Sequence, residues 1–214
     1  MKIIAFLLSL FMVALCSAQT IAVTNSGDQV ALNNDGTWNY IDKNDTENDE
    51  IRLSKTKFEK NDYATFLVKS AITKASIYID PRKWTFAKGK NSEYEFRLKG
   101  KDVYGMLLSE RVEVPLASLK SIALENARTA APDTRIMKEE YRMVNGNKVL
   151  CLQMEGTIHG LRFSYMGYYY SDAKGTLQFV TYTGQNLLKE YISDMEQFLN
   201  GLIVTKIPTS SNEL

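Results

Sequence analysis

The sequence predicts an α+β protein: an antiparallel sheet with helices on both faces, preceded by a small β meander. Three observations carry that reading. Between residues 134 and 183 four β-rich runs are separated by Asn145-Gly146, His159-Gly160 and the turn 172–175, the pattern of an antiparallel meander. Two segments, 115–131 and 187–202, switch to helical period. The run from Leu161 carries bulk on both sides, with Leu161, Phe163, Tyr165 and Tyr169 on one and Met166, Tyr168 and Tyr170 on the other. A strand of that kind is covered from both faces, which calls for a sandwich.

Residues 1–18 read as a secretory signal peptide: Lys2, an apolar run over 3–15, then Cys16-Ser17-Ala18. The run is shorter than the roughly 20 residues a bilayer-spanning helix needs. Small residues at Ala18 and Cys16 place cleavage between Ala18 and Gln19. A lipid on Cys16 is the lesser reading, because Leu15 stands where a small residue belongs. The expected mature chain is exported, periplasmic or extracellular, without stable membrane insertion. Cys151 is then its sole thiol, in an oxidising compartment where it has no internal partner.

Residues 19–42 form a small β module. Apolar runs at 21–24, 29–32 and 37–41 alternate with Asn25-Ser26-Gly27-Asp28 and Asn33-Asn34-Asp35-Gly36, which are turn formers. Residues 43–56 are expected to be a polar linker. The run DKNDTENDE at 42–50 fails as an EF-hand loop, since Glu47 replaces the turn glycine and Leu53 stands where the last ligand, a glutamate, belongs.

The main domain is expected over 57–205. Short strands are predicted at 64–69, 75–79, 83–87, 94–98 and 103–114. The helix over 115–131 has Leu116, Leu119, Ile122, Ala123 and Ala127 at helical spacing, Pro115 at its start and Pro132 just beyond it. Strands follow at 134–144, 148–158, 161–171 and 176–183. Asn145-Gly146 is the strongest two-residue hairpin signal, because both positions reach positive φ. Gly156 and Gly167 inside strands point to bulges or close backbone approach. The last helix, 187–202, carries the stripe Leu187, Tyr191, Met195, Phe198, Leu199 and Leu202. Residues 206–214 form a flexible tail.

This order, with Ile77 to Trp84, the hairpin around Asn145-Gly146, Tyr168 to Tyr170 and the stripe from Tyr191 to Leu202, resembles the PsbP-like fold, an α/β/α sandwich, over residues 64–204. The domain also looks like secreted Gram-negative bacterial proteins. The resemblance implies action by binding protein partners. It transfers no binding residue, because no motif matches residue by residue.

Composition narrows the chemistry further. The 214 residues carry 26 Lys+Arg against 25 Asp+Glu, with 44% hydrophobic residues and a formal charge of +1, so no global field for nucleic acid exists. One histidine, His159, at a hairpin tip, rules out constellations that need two. Cys151 reads as a buried small hydrophobe. Glu139 and Glu140 are adjacent on a strand and so point to opposite faces, as do Glu110 and Glu113 across Arg111. Glu155 has no carboxylate at a spacing that would pair it. Gly156 to Gly160 joins two strands and opens no helix, so it is no phosphate loop. Arg82, Lys83, Lys99 and Lys101 are turn cations, and Tyr168 to Tyr170 read as core.

The sequence thus assigns no catalytic, cofactor-binding or metal-ligating residue, no cofactor and no oligomeric state. Three functions stay open: a non-catalytic accessory protein binding an envelope protein, a carrier of a small apolar ligand, and a carboxylate-dependent hydrolase. An exposed apolar patch would favour the first, an enclosed cavity the second and a close acidic pair in a cleft the third.

Overall fold

The computed structural model describes residues 20–23, 29–32, 36, 38–40 and 51–204. The expected signal segment, the Ala18–Gln19 cleavage point, the acidic run 42–50 and the tail 206–214 lie outside the described residues. The chain divides into two compact units, residues 1–46 and 47–214. In the first, β1 (Thr20–Val23), β2 (Gln29–Leu32) and β3 (Trp38–Tyr40) form an antiparallel three-stranded meander, as predicted.

The second unit is α+β. Its strands are β4 (Leu53–Phe58), β5 (Phe66–Lys69), β6 (Ala75–Ile79), β7 (Trp84–Lys88), β8 (Tyr94–Leu98) and β9 (Val103–Glu110). After helix α1 (Leu119–Ala130) come β10 (Arg135–Val144), β11 (Asn147–Ile158), β12 (Leu161–Asp172) and β13 (Gly175–Gly184). Helix α2 (Leu188–Leu199) and β14 (Leu202–Val204) complete it. One eight-stranded sheet runs β4-β10-β11-β12-β13-β9-β8-β7, and a three-stranded sheet runs β14-β6-β5.

The wholly antiparallel sheet expected from the sequence needs correction. β4 joins β10 in parallel, so the large sheet is mixed. β4 also begins at Leu53, inside the segment expected as linker. Its sequence, Leu-Ser-Lys-Thr-Lys-Phe, has little apolar alternation because it is a mostly exposed edge strand. A second correction concerns the terminal helix, which ends at Leu199 and not at 202. Gly201 passes so close to the Tyr78 carbonyl that no Cβ would fit, and its own carbonyl accepts the Tyr78 N–H at 2.8 Å. The chain then runs on as β14 along β6, from Leu202 opposite Ile77. At its start α1 is shorter than expected: Ser118 N–H bonds the Pro115 carbonyl and Leu119 N–H that of Leu116, three residues back.

The hairpin turns follow the predicted chemistry. Asn145 and Gly146 have φ of 47° and 80°, and His159 and Gly160 have 49° and 79°. The glycines inside the strands mark close approaches. A Cβ on Gly156 would stand 2.6 Å from Thr134 Oγ1 and 2.9 Å from Ala131 Cβ, where the chain leaves α1. A Cβ on Gly167 would meet Val180 and the Tyr169 ring at 3.0–3.1 Å.

Two buried clusters hold the domain. Tyr191, Met195, Phe198 and Leu199 of α2 pack with Cys151, Met166, Tyr168 and Phe179, together with Ile77 and Trp84. Trp84 stacks on Phe198 at 3.8 Å between ring centroids. Leu119 and Ala123 of α1 pack with Leu150, Leu152, Met154, Tyr169 and Val180. Leu150 and Cys151 are neighbours on β11, and Tyr168 and Tyr169 on β12, so each pair divides between the clusters by strand alternation. No helix among the described residues is long and apolar enough to cross a membrane.

Candidate functional site

The residues of catalytic type sit apart from one another, in structural settings. Cys151 is 3% exposed, and burial pushes its thiol up to about 12, far from a working nucleophile. His159 is exposed at its turn with positive φ. Glu139 pairs with Lys120 of α1 at 2.7 Å, whereas Glu140 pairs with Arg142, so the two acids do serve opposite faces. Glu155 accepts from Gln185 at 3.0 Å and lies 3.7 Å from Arg162, among cations and amides. Among the described residues, no group of three His, Cys, Asp or Glu could hold a metal ion.

The strongest electrostatic feature is Arg142, only 3% exposed. Its Nε donates to Glu140 at 2.7 Å, and its Nη1 donates to Glu196 at 2.6 Å and to the Tyr168 hydroxyl at 3.0 Å. Tyr168 in turn donates to Asn200 Oδ1 at 2.7 Å, and the guanidinium lies 4.1 Å from the centre of the Phe58 ring. Burial works against the Glu140 carboxylate, but the hydrogen bond and charge of Arg142, with the charge of Lys138, hold it below the usual carboxylate range. Burial raises the Tyr168 phenol above its ordinary value. The Nε and Nη1 donors of Arg142 are thus engaged from within, and the network ties β4, β10, β12 and α2 together.

A row of half-buried rings lies elsewhere, on the sheet face that carries the α1 cluster. Cross-strand register sets Arg97 opposite Tyr104, Tyr104 opposite Tyr182 and Tyr182 opposite Tyr165. Four strands, β8, β9, β13 and β12, thus contribute one row. Arg97 lies 5.5 Å from the Tyr104 ring centre, Tyr104 stacks on Tyr182 at 5.5 Å, and Tyr182 and Tyr165 follow at 6.0 Å. Phe163 extends the row at 6.5 Å from Tyr165. These rings are half-buried, and Arg97 is exposed. Burial raises the Tyr165 and Tyr182 phenols, so both are neutral at physiological pH.

Two open depressions flank the row and meet at Tyr104. One, of about 320 Å³, lies over β7–β9 beside Thr85, Ala87, Glu95 and Met106. The other, of about 600 Å³, lies at the Phe163 end between Leu161, Arg162 and Leu187. α1 packs against β11, and the row continues past its cover. Tyr-rich, half-buried surfaces bordered by Arg are the chemistry of protein recognition: rings give contact area at low entropic cost, and hydroxyls give adaptable hydrogen bonds. Nothing local in the sequence singles out Tyr104 and Tyr182. Alternation puts Tyr104 on the face of Met106 and Leu108, but only the β9–β13 register aligns it with Tyr182.

No protein-family model matches the chain, and no curated protein sequence matches it. Among solved structures the chain is similar to cyanobacterial PsbP (CyanoP) from Synechocystis sp. PCC 6803, with a TM-score of 0.50 at 10% identity, over 65% of this chain and 92% of that one. It is also similar to LpqN of Mycobacterium tuberculosis, described as involved in cell envelope biogenesis (TM-score 0.47, 9% identity, 66% and 90% coverage). A third is the protein PA94 of Pseudomonas aeruginosa (TM-score 0.44, 13% identity, 66% and 98% coverage). The chain has a PsbP-like fold, and at these identities the likeness speaks to fold alone.

Proposed function

We propose that this chain is an exported, non-catalytic accessory protein that binds another protein of the cell envelope. The observation that carries this reading is the row Arg97–Tyr104–Tyr182–Tyr165, half-buried and left uncovered on a rigid sheet. Export rests on the signal-like residues 1–18, with the mature chain starting at Gln19. The platform itself is an α/β/α sandwich with α1 and α2 on opposite faces, a layering supported by the division of β11 and β12 side chains between the two clusters. Surface recognition is favoured over carriage of an enclosed apolar ligand, since both depressions along the row are open.

Affinity capture from the native envelope, comparing wild type with a Tyr104→Ala/Tyr182→Ala double variant, tests the reading. The expected result is a partner retained by wild type and lost by the variant while its circular dichroism shows the fold retained. Turnover of an envelope glycan, peptide or ester that Glu110→Gln, Glu139→Gln or Glu155→Gln abolishes would replace it with the hydrolase reading.

A further inference from the structure

β7 is an outer strand of the large sheet, and its backbone is half unused. Lys99 N–H bonds the Lys83 carbonyl at 2.8 Å, and Gly89 N–H points to the Glu93 carbonyl at 3.5 Å. Between these ends the register is unbroken, Trp84 opposite Leu98 through Lys88 opposite Tyr94. In an antiparallel pair the hydrogen-bonded positions alternate, so Thr85 and Ala87 face β8. Phe86 and Lys88 therefore direct both N–H and C=O away from the sheet. Trp84 sends its carbonyl outward as well, while its N–H is held by the Asp80 carbonyl at 2.9 Å. Among the described residues nothing pairs with the outward groups of Phe86 and Lys88.

Both flanks of this edge are furnished for alternate side chains. On one side Phe86 is 41% exposed and packs 5.4 Å from Phe66, itself 45% exposed. On the other lies the depression beside Thr85, Ala87 and Tyr104, which Glu95 also lines. The surroundings are basic. Between Arg82 and Lys101 seven Lys and Arg stand against two Glu, in a chain of net charge +1. Arg82 is matched by Asp80, Lys83 by Asp194 and Lys101 by Glu190. Lys88, Lys90, Arg97 and Lys99 have no carboxylate partner among the described residues.

We propose that β7 receives an extended, acidic segment of the partner protein by strand addition. This deepens the protein-binding reading and rests on it. An unpaired edge supplies main-chain affinity, and the two flanks read alternate side chains. The cations select the occupant. Lysines on an edge turn away edges of like charge. Antiparallel pairing of β7 with a second copy about Phe86 would set Lys90 of one copy opposite Arg82 of the other, twice over, with Lys88 opposite Trp84. An acidic strand meets attraction at the same positions.

The test uses the full mature chain and the peptide Thr-Glu-Val-Glu-Val-Glu-Thr, reading amide exchange at Phe86 and Lys88 by NMR. Saturating peptide should slow both amides about tenfold, and raised salt should weaken the effect. N-methylation along one edge of the peptide should abolish the protection, while methylation along the other leaves it. Lys88→Glu/Lys90→Glu should weaken binding about tenfold, as expected for two charge reversals beside a bound acidic strand. Equal protection by the lysine analogue of the peptide, indifference to which edge is methylated, or protection that rises with protein concentration alone would each overturn the proposal. If the acidic peptide never protects β7 while Tyr104→Ala/Tyr182→Ala still loses the captured partner, strand addition falls and the protein-binding reading stands. If neither responds, both fall.

Discussion

Arg142 shows how one buried charge can hold several elements at once, and how costly its removal becomes. Its carboxylate partners Glu140 and Glu196 come from its own strand and from α2, and Tyr168 from β12 completes the set. Arg142→Met keeps much of the volume but leaves Glu140 and Tyr168 without their donor. Stability to urea should fall by about 3–5 kcal/mol, the range for breaking one side of a buried ion pair. The pH dependence follows from the same contacts. The folded Glu140 carboxyl lies below its ordinary value of 4.5, so its contribution is present above that pH. It is lost as pH falls through the lower folded value. Glu140→Gln should therefore flatten the stability curve below about pH 4.5, where the unfolded carboxyl takes up its proton. A curve as steep as that of wild type would show that other acids, such as Asp80, carry the acid sensitivity. Cys151 gives an independent check on burial. With its thiol pushed up to about 12, alkylation of the native protein at pH 8 should run at least about a hundredfold slower than in urea. Rapid native labelling would mean that the α2 cluster opens locally.

Elements whose signals are local in sequence were legible, and those defined by distant pairing were not. The Asn145-Gly146 and His159-Gly160 turns, the four-stranded meander and both helices follow from turn chemistry and period, which act over a few residues. β4 was missed because an edge strand buries little, and Leu53 to Phe58 reads as polar chain. β14 was missed because three residues, Leu202 to Val204, carry no period of their own and depend on β6 for pairing. The candidate binding row failed for the same reason: Tyr104 and Tyr182 are aligned by the register of strands far apart in sequence. Asn145 does more than its turn requires. Its Oδ1 accepts Lys60 N–H at 3.0 Å, and its Nδ2 donates to the carbonyls of Asn200 and Leu202 at 2.7 and 2.8 Å. The side chain therefore pins the start of β14 and the segment after β4 to the hairpin tip. Asn145→Gly keeps the positive φ at no steric cost, so the loss reports these bonds together with the greater freedom of glycine in the unfolded chain. The expected loss is about 1–3 kcal/mol in chemical denaturation, with faster amide exchange in β14. A neutral result would show that the turn conformation is all this position contributes.

At the scale of the whole molecule, the division into units 1–46 and 47–214 places a charged, apolar-poor run between two folded parts. β4 sharpens where that run ends. Leu53 is registered with Tyr141, Lys57 with Met143 and Phe58 with Val144, and Tyr141 N–H bonds the Arg52 carbonyl at 2.8 Å. A protease must unpair this strand before it can cut within it. Cleavage should therefore concentrate before Arg52 and spare Lys55 and Lys57, although both lysines are exposed and suit trypsin. The larger fragment should keep the cooperative unfolding of the main domain, because among the described residues its two buried clusters are built from Ile51 onward. Mass spectrometry of early tryptic fragments and a thermal melt of the large product test both statements. First cuts after Lys55 or Lys57 would show that β4 frays from the sheet edge. A large fragment that melts without cooperativity would show that the first unit contributes to the fold of the second.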